Sequence, residues 1–237
     1  MRREVTAAYH ALAAASQADM VWGHVAVRDP GGDGVWIKAP GWGLEEVRPD
    51  RLQLASFDGE VLAGGGSPHK EVQIHLQVLA ADPGLTCSVH THGASAVAFA
   101  ALETPLLPIS HDATIFGGAD VPRYRATGGL VTTPELGRAL AATLGVAPAA
   151  LLPKHGLVAA GRTVAAAVMY AVLLDRACRS QLSALAAGEI RTYSNAAEAA
   201  AKRAECWADG QLDAGYRYLV RLAHQRIPAF EDIDPDS

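Results

Sequence analysis

The chain has 237 residues and a mass of 24.7 kDa, enough for one sizeable hydrophobic core. Half of the residues are hydrophobic, 19% are charged and the formal net charge is −5, a composition typical of soluble globular proteins. The acidic balance argues against nucleic acid or an anionic membrane surface as the main partner, and no apolar run is long enough for a membrane span. Three widely spaced cysteines form no disulfide framework, so a cytoplasmic location is expected.

Two β-hairpins are predicted after a first helix over residues 4–16. Alternating apolar and polar residues predict the strands, and glycine-rich turns join them. The strands cover residues 23–29 and 35–38 around the turn 30–34, and residues 52–57 and 60–62 around Asp58-Gly59. The first quarter of the chain is therefore expected to be mostly β-structure.

A helix is predicted to start at Ser67, because serine is a good N-cap and Pro68 fits the first turn. The helix is expected to end near Ala81. It places Glu71 in its first turn, where the helix dipole favours an ionised carboxylate. His75 lies one turn further on and is interpreted as a structural histidine packed against the sheet.

The second half of the chain is predicted to alternate between short buried strands and helices. The strands cover residues 86–89, 149–152 and 157–160, and the helices cover 93–102, 134–145 with a threonine cap, 163–187 and 195–226. Hairpins with interleaved helices predict one α/β domain with a central mixed or antiparallel sheet covered by helices. Residues 231–237 are expected to form a flexible acidic tail.

Four residues form a candidate metal site. His90 and His92 follow the strand 86–89, and side chains two apart in an extended segment point to the same side. His155, just after another apolar run, and Glu71 complete the set. Imidazoles and a carboxylate suit Zn²⁺, Mn²⁺ or a related divalent metal. The alternative is that these are scattered surface side chains.

The chain resembles the class II aldolase/adducin family over roughly residues 5–190. The matching residues are Gly23-His-Val-Ala-Val-Arg-Asp29, Pro68-His-Lys-Glu71, His90-Thr-His92 and Lys154-His-Gly156. The resemblance implies a single αβα-sandwich domain over residues 1–237, with a mostly antiparallel central sheet. It also implies a homotetramer with active sites between subunits. In aldolases of the family three histidines bind zinc and a glutamate acts as acid/base, roles that carry over to His90, His92, His155 and Glu71.

Departures from the family's sugar-phosphate aldolases favour a decarboxylase. Those aldolases bind phosphate through Asn and Ser in the first strand and hydroxyl residues before the glutamate, where this chain has His24, His69 and Lys70. Cationic side chains there suit a carboxylate. Relatives with Gly-His-x-x-x-Arg-Asp in the first strand decarboxylate hydroxylated aromatic or pyridine carboxylates. Substrate contacts are expected at His24, Lys38, Gly41, His69, Lys70 and Asp112, the last of which replaces the aldolase proton donor, a tyrosine.

The sequence therefore predicts a metal-dependent carbon–carbon lyase, a decarboxylase of a hydroxy-aromatic or hydroxy-heteroaromatic (di)carboxylate. The reaction would pass through a metal-stabilised enolate-type intermediate, with Glu71 handling the proton. The alternatives are an aldolase acting on a sugar phosphate or hydroxy-keto acid, a dehydratase or epimerase, and a non-catalytic adducin-like scaffold. Tyr216 and Tyr218 could reach a neighbouring subunit's site, and three tryptophans could flank an aromatic ring, namely Trp22, Trp36 and Trp42.

Overall fold

The computed structural model describes residues 1–118 and 120–227. Seven strands form one sheet in this part of the chain: β1 (His24–Arg28), β2 (Gly34–Lys38), β3 (Leu52–Ser56), β4 (Val61–Ala63), β5 (Cys87–Thr91), β6 (Ala149–Leu152) and β7 (Gly156–Gly161). Their order is β4-β3-β2-β1-β5-β7-β6, and neighbouring strands run antiparallel throughout. The predicted α/β fold around an antiparallel sheet is confirmed.

Helices cover both faces of this sheet. They are α1 (Arg2–Ala14), α2 (Val72–Ala81), α3 (Ala94–Ala100), α4 (His111–Thr114), α5 (Pro134–Leu144), α6 (Val164–Ala187), α7 (Ala196–Cys206) and α8 (Asp209–Arg226). Helices α1, α3 and α6 pack on one face, and α8 lies against α1 and α6. Helices α2 and α5 pack together on the other face. The result is the αβα sandwich that the family resemblance implied.

Helices can pack on both faces of the sheet because successive side chains along each strand point to opposite faces. In β1, Val25 and Val27 enter the large core beneath α1 and α6, whereas Ala26 faces the smaller core beneath α2. Both sets are fully buried. A strand buried on both faces reads as a continuous apolar run, which is why β7 shows no polar face in the sequence.

Helix caps match the predicted starts of two helices. The Thr133 hydroxyl accepts a hydrogen bond from the backbone N–H of Leu136 at the start of α5. The Thr163 hydroxyl accepts one from the N–H of Ala166, 3.0 Å away, at the start of α6. These caps fix where both helices leave the sheet.

The predicted start of α2 at Ser67 is wrong. The helix begins at Val72, and Glu71 occupies its N-cap position instead of its first turn. The side-chain amide of Gln53 donates to the carbonyls of Gly65 and Ser67, which holds the segment before the helix beside β3. This path places Glu71 at the edge of the sheet.

The region predicted to be helical over residues 195–226 contains two helices with a break between them. It is divided into α7 and α8 at Trp207, whose indole N–H donates to the carbonyl oxygen of His111, 2.9 Å away. The described end of α8 packs on the main core, which supports one domain, although its extent over 1–237 stays a prediction. Residues 231–237, predicted as a flexible tail, lie outside the described residues. Among the helices of residues 1–118 and 120–227, none is long and apolar enough to cross a membrane.

Candidate metal and substrate site

Three predicted histidines meet at one edge of the sheet. His90 is the last but one residue of β5, His92 follows directly after the strand, and His155 lies in the turn between β6 and β7. One ring nitrogen from each lies within 4.8 Å of the others. Ring centroids are 4.8 Å apart for His90–His92 and His90–His155, and 5.3 Å apart for His92–His155. Antiparallel pairing of β5 with β7 brings the two segments together.

The hydrogen bonds of His90 and His92 fix which nitrogens face the centre. Nδ1 of His90 lies 2.9 Å from the carbonyl oxygen of Leu157, and Nδ1 of His92 lies 3.0 Å from a carboxylate oxygen of Asp19. Both partners are acceptors, so each Nδ1 carries a hydrogen and each neutral ring has its lone pair on Nε2. The two Nε2 atoms are 3.1 Å apart. Two facing lone pairs at this distance require a proton or a cation between them, so the pair fits a metal ion.

His155 and Glu71 extend the same centre. Nε2 of His155 is buried and has no hydrogen-bond partner in the described chain. It lies 3.6 Å from Oε1 of Glu71, too far for a hydrogen bond. The same Glu71 oxygen accepts the backbone N–H of Val131 at 2.8 Å. A buried orphan nitrogen that faces a carboxylate and two other imidazoles fits a metal ligand.

Glu71 is the negative charge of the centre. Burial raises the pKa of Glu71, but the neighbouring His155, the Val131 N–H and the other local charges together lower it below the ordinary value. Glu71 is therefore an ionised carboxylate at neutral pH. Three imidazoles and one carboxylate suit a divalent ion such as zinc, which binds neutral nitrogen ligands and retains an open position for substrate.

Backbone geometry lets the two histidine segments approach. A Cβ on Gly156 would lie 2.4 Å from the carbonyl oxygen of Thr91 and 2.9 Å from the His92 ring, so only glycine fits there. Lys154, just before, has a φ of 69°, an unusual value for a non-glycine residue. The tight β6–β7 turn presents His155 to the centre.

A cavity of about 590 Å³ opens beside the histidines. Its apolar wall is formed by Trp22, Ala94, Val97, Ala98 and Leu130, and its polar lining by Asp19, His24, His69, Glu71, His92, Lys154 and His155. The described lining contains no serine, threonine or asparagine. Trp22 and Leu130 are each about half exposed, so they form the mouth of the cavity.

His24 and His69 stand together inside this cavity. Their ring centroids are 4.1 Å apart, and the His24 centroid is 4.9 Å from that of His90. Burial and the adjacent histidines keep the pKa of His24 well below its ordinary value, and burial with the nearby Lys38 lowers the pKa of His69 to about 4. Both rings are neutral at pH 7, in contrast to the cationic contacts expected from the sequence.

The other four predicted substrate contacts lie outside the lining of this cavity. The buried Lys38 ammonium donates to the carbonyl oxygens of Val21, at 2.5 Å, and Trp42, and burial lowers its pKa to about 8. Asp112 forms an ion pair with Arg176, with 2.8 Å between carboxylate oxygen and guanidinium nitrogen. Gly41 and Lys70 are exposed. Roles for these four in substrate binding stay predictions.

The aromatic candidates separate into different roles. Trp22 lines the cavity, Trp36 is buried and donates to Asp29 at 2.8 Å, and Trp42 lies beneath the guanidinium of Arg51. Tyr216 is partly buried against the main core. Tyr218 is 55% exposed.

Sequence reasoning missed three contributors to the site. Asp19 orients His92 from a loop, Val131 holds Glu71 through its backbone, and His75 bonds to His24 with 2.6 Å between nitrogens. Only His75 gave a signal, its position one helical turn after Glu71. The Asp19 and Val131 contacts join segments 73 and 60 residues apart, which no local pattern reveals.

Comparison with known proteins agrees with this architecture. Residues 3–182 match the sequence profile described as "Class II Aldolase and Adducin N-terminal domain". The structure is similar to an L-fuculose 1-phosphate aldolase from Glaciozyma antarctica, with a TM-score of 0.82, 25% identity, and coverage of 96% of this chain and 91% of that one.

Two curated relatives carry different activities in their names. A 5-methylthioribulose-1-phosphate/5-deoxyribulose-1-phosphate aldolase of Rhodospirillum rubrum is 32% identical over 65% of this chain and 67% of its own length. The decarboxylase NovR of Streptomyces niveus is 31% identical over 72% of this chain and 64% of its own length. The chain thus spans about two thirds of these relatives. With 180 of its residues inside the profile match, the chain belongs to the class II aldolase/adducin family.

Proposed function

We propose that this protein is a metal-dependent lyase that decarboxylates a hydroxy-aromatic or hydroxy-heteroaromatic carboxylate. Enzymes of the family are generally metal-dependent lyases or epimerases that act on small molecules. The observation that carries the decarboxylase is the cavity lining: an apolar wall beside the histidine cluster, without a serine, threonine or asparagine among the described lining residues. A flat ring with an ortho-hydroxyl and a carboxylate suits such a wall better than a polyhydroxylated sugar phosphate does.

Substrate binding would use the two halves of the cavity. Trp22, Val97 and Leu130 would contact the ring, and Trp22 and Leu130 at the mouth would exclude water from it. His24 and His69 would offer neutral ring N–H groups to an anionic oxygen. A neutral donor pair binds an anion without the desolvation cost of a buried cation.

Glu71 would move the proton. Its ionised carboxylate, held at Oε1 by the Val131 N–H, takes the proton of the substrate hydroxyl as the substrate binds. It returns that proton to the ring carbon that carries the carboxylate. The carbon–carbon bond then breaks, its electron pair restores the phenolate, CO₂ leaves, and solvent protonates the released product. His90, His92 and His155 would hold a divalent cation, which would supply positive charge where negative charge develops on the substrate oxygens.

The ion would be zinc or manganese, both of which suit three histidines and a glutamate. The protein would act as a homotetramer with sites between subunits, and relatives in the family are typically oligomeric. The exposed Tyr218 on α8 would reach a neighbouring site. The three free cysteines support a cytoplasmic location.

Aldol cleavage is the second candidate. The aldolase relative of Rhodospirillum rubrum and the similar structure from Glaciozyma antarctica favour it, because both are named for sugar-phosphate substrates. Lys154 at the cavity is the one lining ammonium in the described chain that could meet a phosphate. The same three histidines would serve both reactions, so metal content alone does not separate them.

The experiment is a substrate panel with three enzyme samples: zinc-loaded, manganese-loaded and chelator-stripped protein. The panel holds ortho-hydroxy aromatic carboxylates, hydroxy-keto acids and sugar phosphates, and mass spectrometry reads the products. Turnover of a hydroxy-aromatic carboxylate that is lost on stripping and restored by metal is the expected result. Cleavage of a sugar phosphate into two carbonyl fragments, with no aromatic turnover, would contradict the decarboxylase and establish the aldolase.

A further inference from the structure

His75 is a fully buried histidine that the proposed reaction does not use. It lies on α2, one turn after Glu71, and its Nε2 is 2.6 Å from Nδ1 of His24. Its other nitrogen, Nδ1, is buried and has no partner in the described chain. Burial, followed by the influence of His69, lowers the pKa of His75 to about 3, so the ring is neutral.

Two neutral arrangements of this pair are possible. In the first, Nε2–H of His75 donates to Nδ1 of His24, and the orphan Nδ1 of His75 is a bare acceptor. In the second, Nδ1–H of His24 donates to His75, and the orphan Nδ1 of His75 must carry a hydrogen. A buried N–H without an acceptor is rarer and costs more than an acceptor with unused capacity. The first arrangement is therefore favoured.

We infer that His75 is a positioning residue that fixes His24 as the Nε2–H tautomer, a hydrogen-bond donor to a substrate anion and not a metal ligand. The inference rests on the proposed function for the identity of that anion, a carboxylate. It separates two readings of the site, because a His24 nitrogen also lies within 4.8 Å of Glu71 and His90 ligand atoms and could be taken for a ligand.

The same logic applies to the neighbouring His69. Its Nδ1 accepts the backbone N–H of Glu71, with 3.3 Å between nitrogens, so the neutral ring carries its hydrogen on Nε2. His24 and His69 then share one tautomer and stand edge to face at a centroid distance of 4.1 Å. The Nε2–H groups of His24 and His69 therefore form a pair of donors that can bind an anion. This pair lies beside the ring nitrogens of His90, His92 and His155, which face the candidate metal centre. The buried contact to His75 thus separates substrate binding from metal binding.

The direct test is ¹⁵N magic-angle-spinning NMR of the full-length protein labelled at histidine nitrogens, metal-free and zinc-loaded. The His24 signals are assigned by comparison with His24→Asn. The expected result is hydrogen on Nε2 of both His24 and His75 in both samples. Hydrogen on Nδ1 of His24, or a zinc-induced shift of its Nε2 typical of a ligand, would overturn the inference.

Two substitutions at His75 test its role. His75→Gln keeps an amide N–H donor and is expected to preserve the Nε2–H form of His24, whereas His75→Leu removes the donor and should move His24 toward the Nδ1–H form. His10→Gln, at another buried histidine on α1, is the control and should leave the His24 signals unchanged. An unchanged His24 pattern in His75→Leu would contradict the inference. If that variant does not fold, the wild-type and His75→Gln spectra still decide.

Zinc affinity gives a second readout. His24→Asn should bind zinc as tightly as wild type, because His24 is not a ligand. A loss larger than the roughly 10–100-fold typical of outer contacts would make His24 a ligand and overturn the inference. The tautomer is read without substrate, so it is independent of the proposed reaction. If His24 has the predicted tautomer but the protein decarboxylates none of the substrates, the proposed reaction is refuted and the inference about His75 stands.

Discussion

At the scale of residues, the candidate metal centre depends on hydrogen bonds that orient the histidine rings. Asp19 accepts the Nδ1–H of His92 at 3.0 Å and so directs the lone pair of Nε2 at the centre. The same contact fixes the orientation of the ring.

Asp19→Asn should weaken zinc binding by roughly 10–100-fold, because the amide keeps an acceptor oxygen and loses the charge. Competition titration against a fluorescent chelator measures the change. Asp33→Asn, in the exposed β1–β2 turn, is the matched control and should bind zinc as wild type does. Equal affinities in all three proteins would show that Asp19 does not support the metal ligand.

Glu71→Gln should lower kcat by roughly 10²–10⁴-fold, because a neutral amide neither takes nor returns a proton. The glutamine oxygen can still accept the Val131 N–H, so the fold should stay intact. Steady-state kinetics and zinc content of the same preparation are the measurements. Wild-type turnover in this variant would remove Glu71 from the proton path.

The proximity of His90 and His92 was predictable because it is local: the two histidines are two residues apart at the end of β5. The neutral state of His24 and His69 was not, because it depends on burial and on rings contributed by β1, α2 and β5. Lys38 shows the same limit: its sequence position suggests a substrate contact, whereas its ammonium donates to the carbonyls of Val21 and Trp42.

At the scale of elements, the site depends on how closely β7 approaches β5. Gly156→Ala should destabilise the fold by roughly 1–3 kcal/mol, since its Cβ would lie 2.4 Å from the Thr91 carbonyl oxygen. Urea unfolding measures the change. Gly210→Ala on α8 is the control, because its Cβ would meet open space. Equal stability of Gly156→Ala and wild type would mean that β5 and β7 can move apart to accommodate the added methyl group without a loss of stability.

The strands and caps followed from the sequence, because alternation and N-cap chemistry act over a few residues. The start of α2 did not follow from the sequence. The residues before it are held by the side chain of Gln53 on β3, which lies 12 and 14 residues before the two carbonyls that it binds. Ser67 and Pro68 are suitable residues for a helix start, but the hydrogen bonds from Gln53 hold this segment against the sheet, and the helix begins later. The error matters for function, since it moves Glu71 from the first turn to the N-cap.

At the scale of the whole molecule, Lys38 links unfolding to pH. Its folded pKa of about 8 lies below the unfolded value of 10.5, so the unfolded chain binds more protons between these limits. The contribution of Lys38 to the free energy of unfolding should therefore increase by roughly 1.4 kcal/mol for each unit that the pH rises between about pH 8 and 10.5. The measurement is the unfolding free energy of wild type minus that of Lys38→Met at several pH values. A constant difference would contradict the lowered pKa.

Assembly is the second property at this scale. The chain should form a particle of four times the 24.7 kDa of one subunit, with Tyr218 at an interface. Light scattering after size exclusion measures the mass, and Tyr218→Ala should lower turnover while the zinc content stays constant. Monomeric protein with full activity would show that each site is complete within one chain.

The central claim is that Glu71 and the histidine cavity together remove CO₂ from a hydroxy-aromatic carboxylate. The most direct measurement is the product mass after turnover of one such substrate in D₂O by zinc-loaded wild type and Glu71→Gln. The expected wild-type product has lost CO₂ and gained one deuterium on the ring carbon that carried the carboxylate, with little product from Glu71→Gln. Two carbonyl-bearing fragments from a hydroxy-keto acid or sugar phosphate, with the aromatic substrate unchanged, would contradict it.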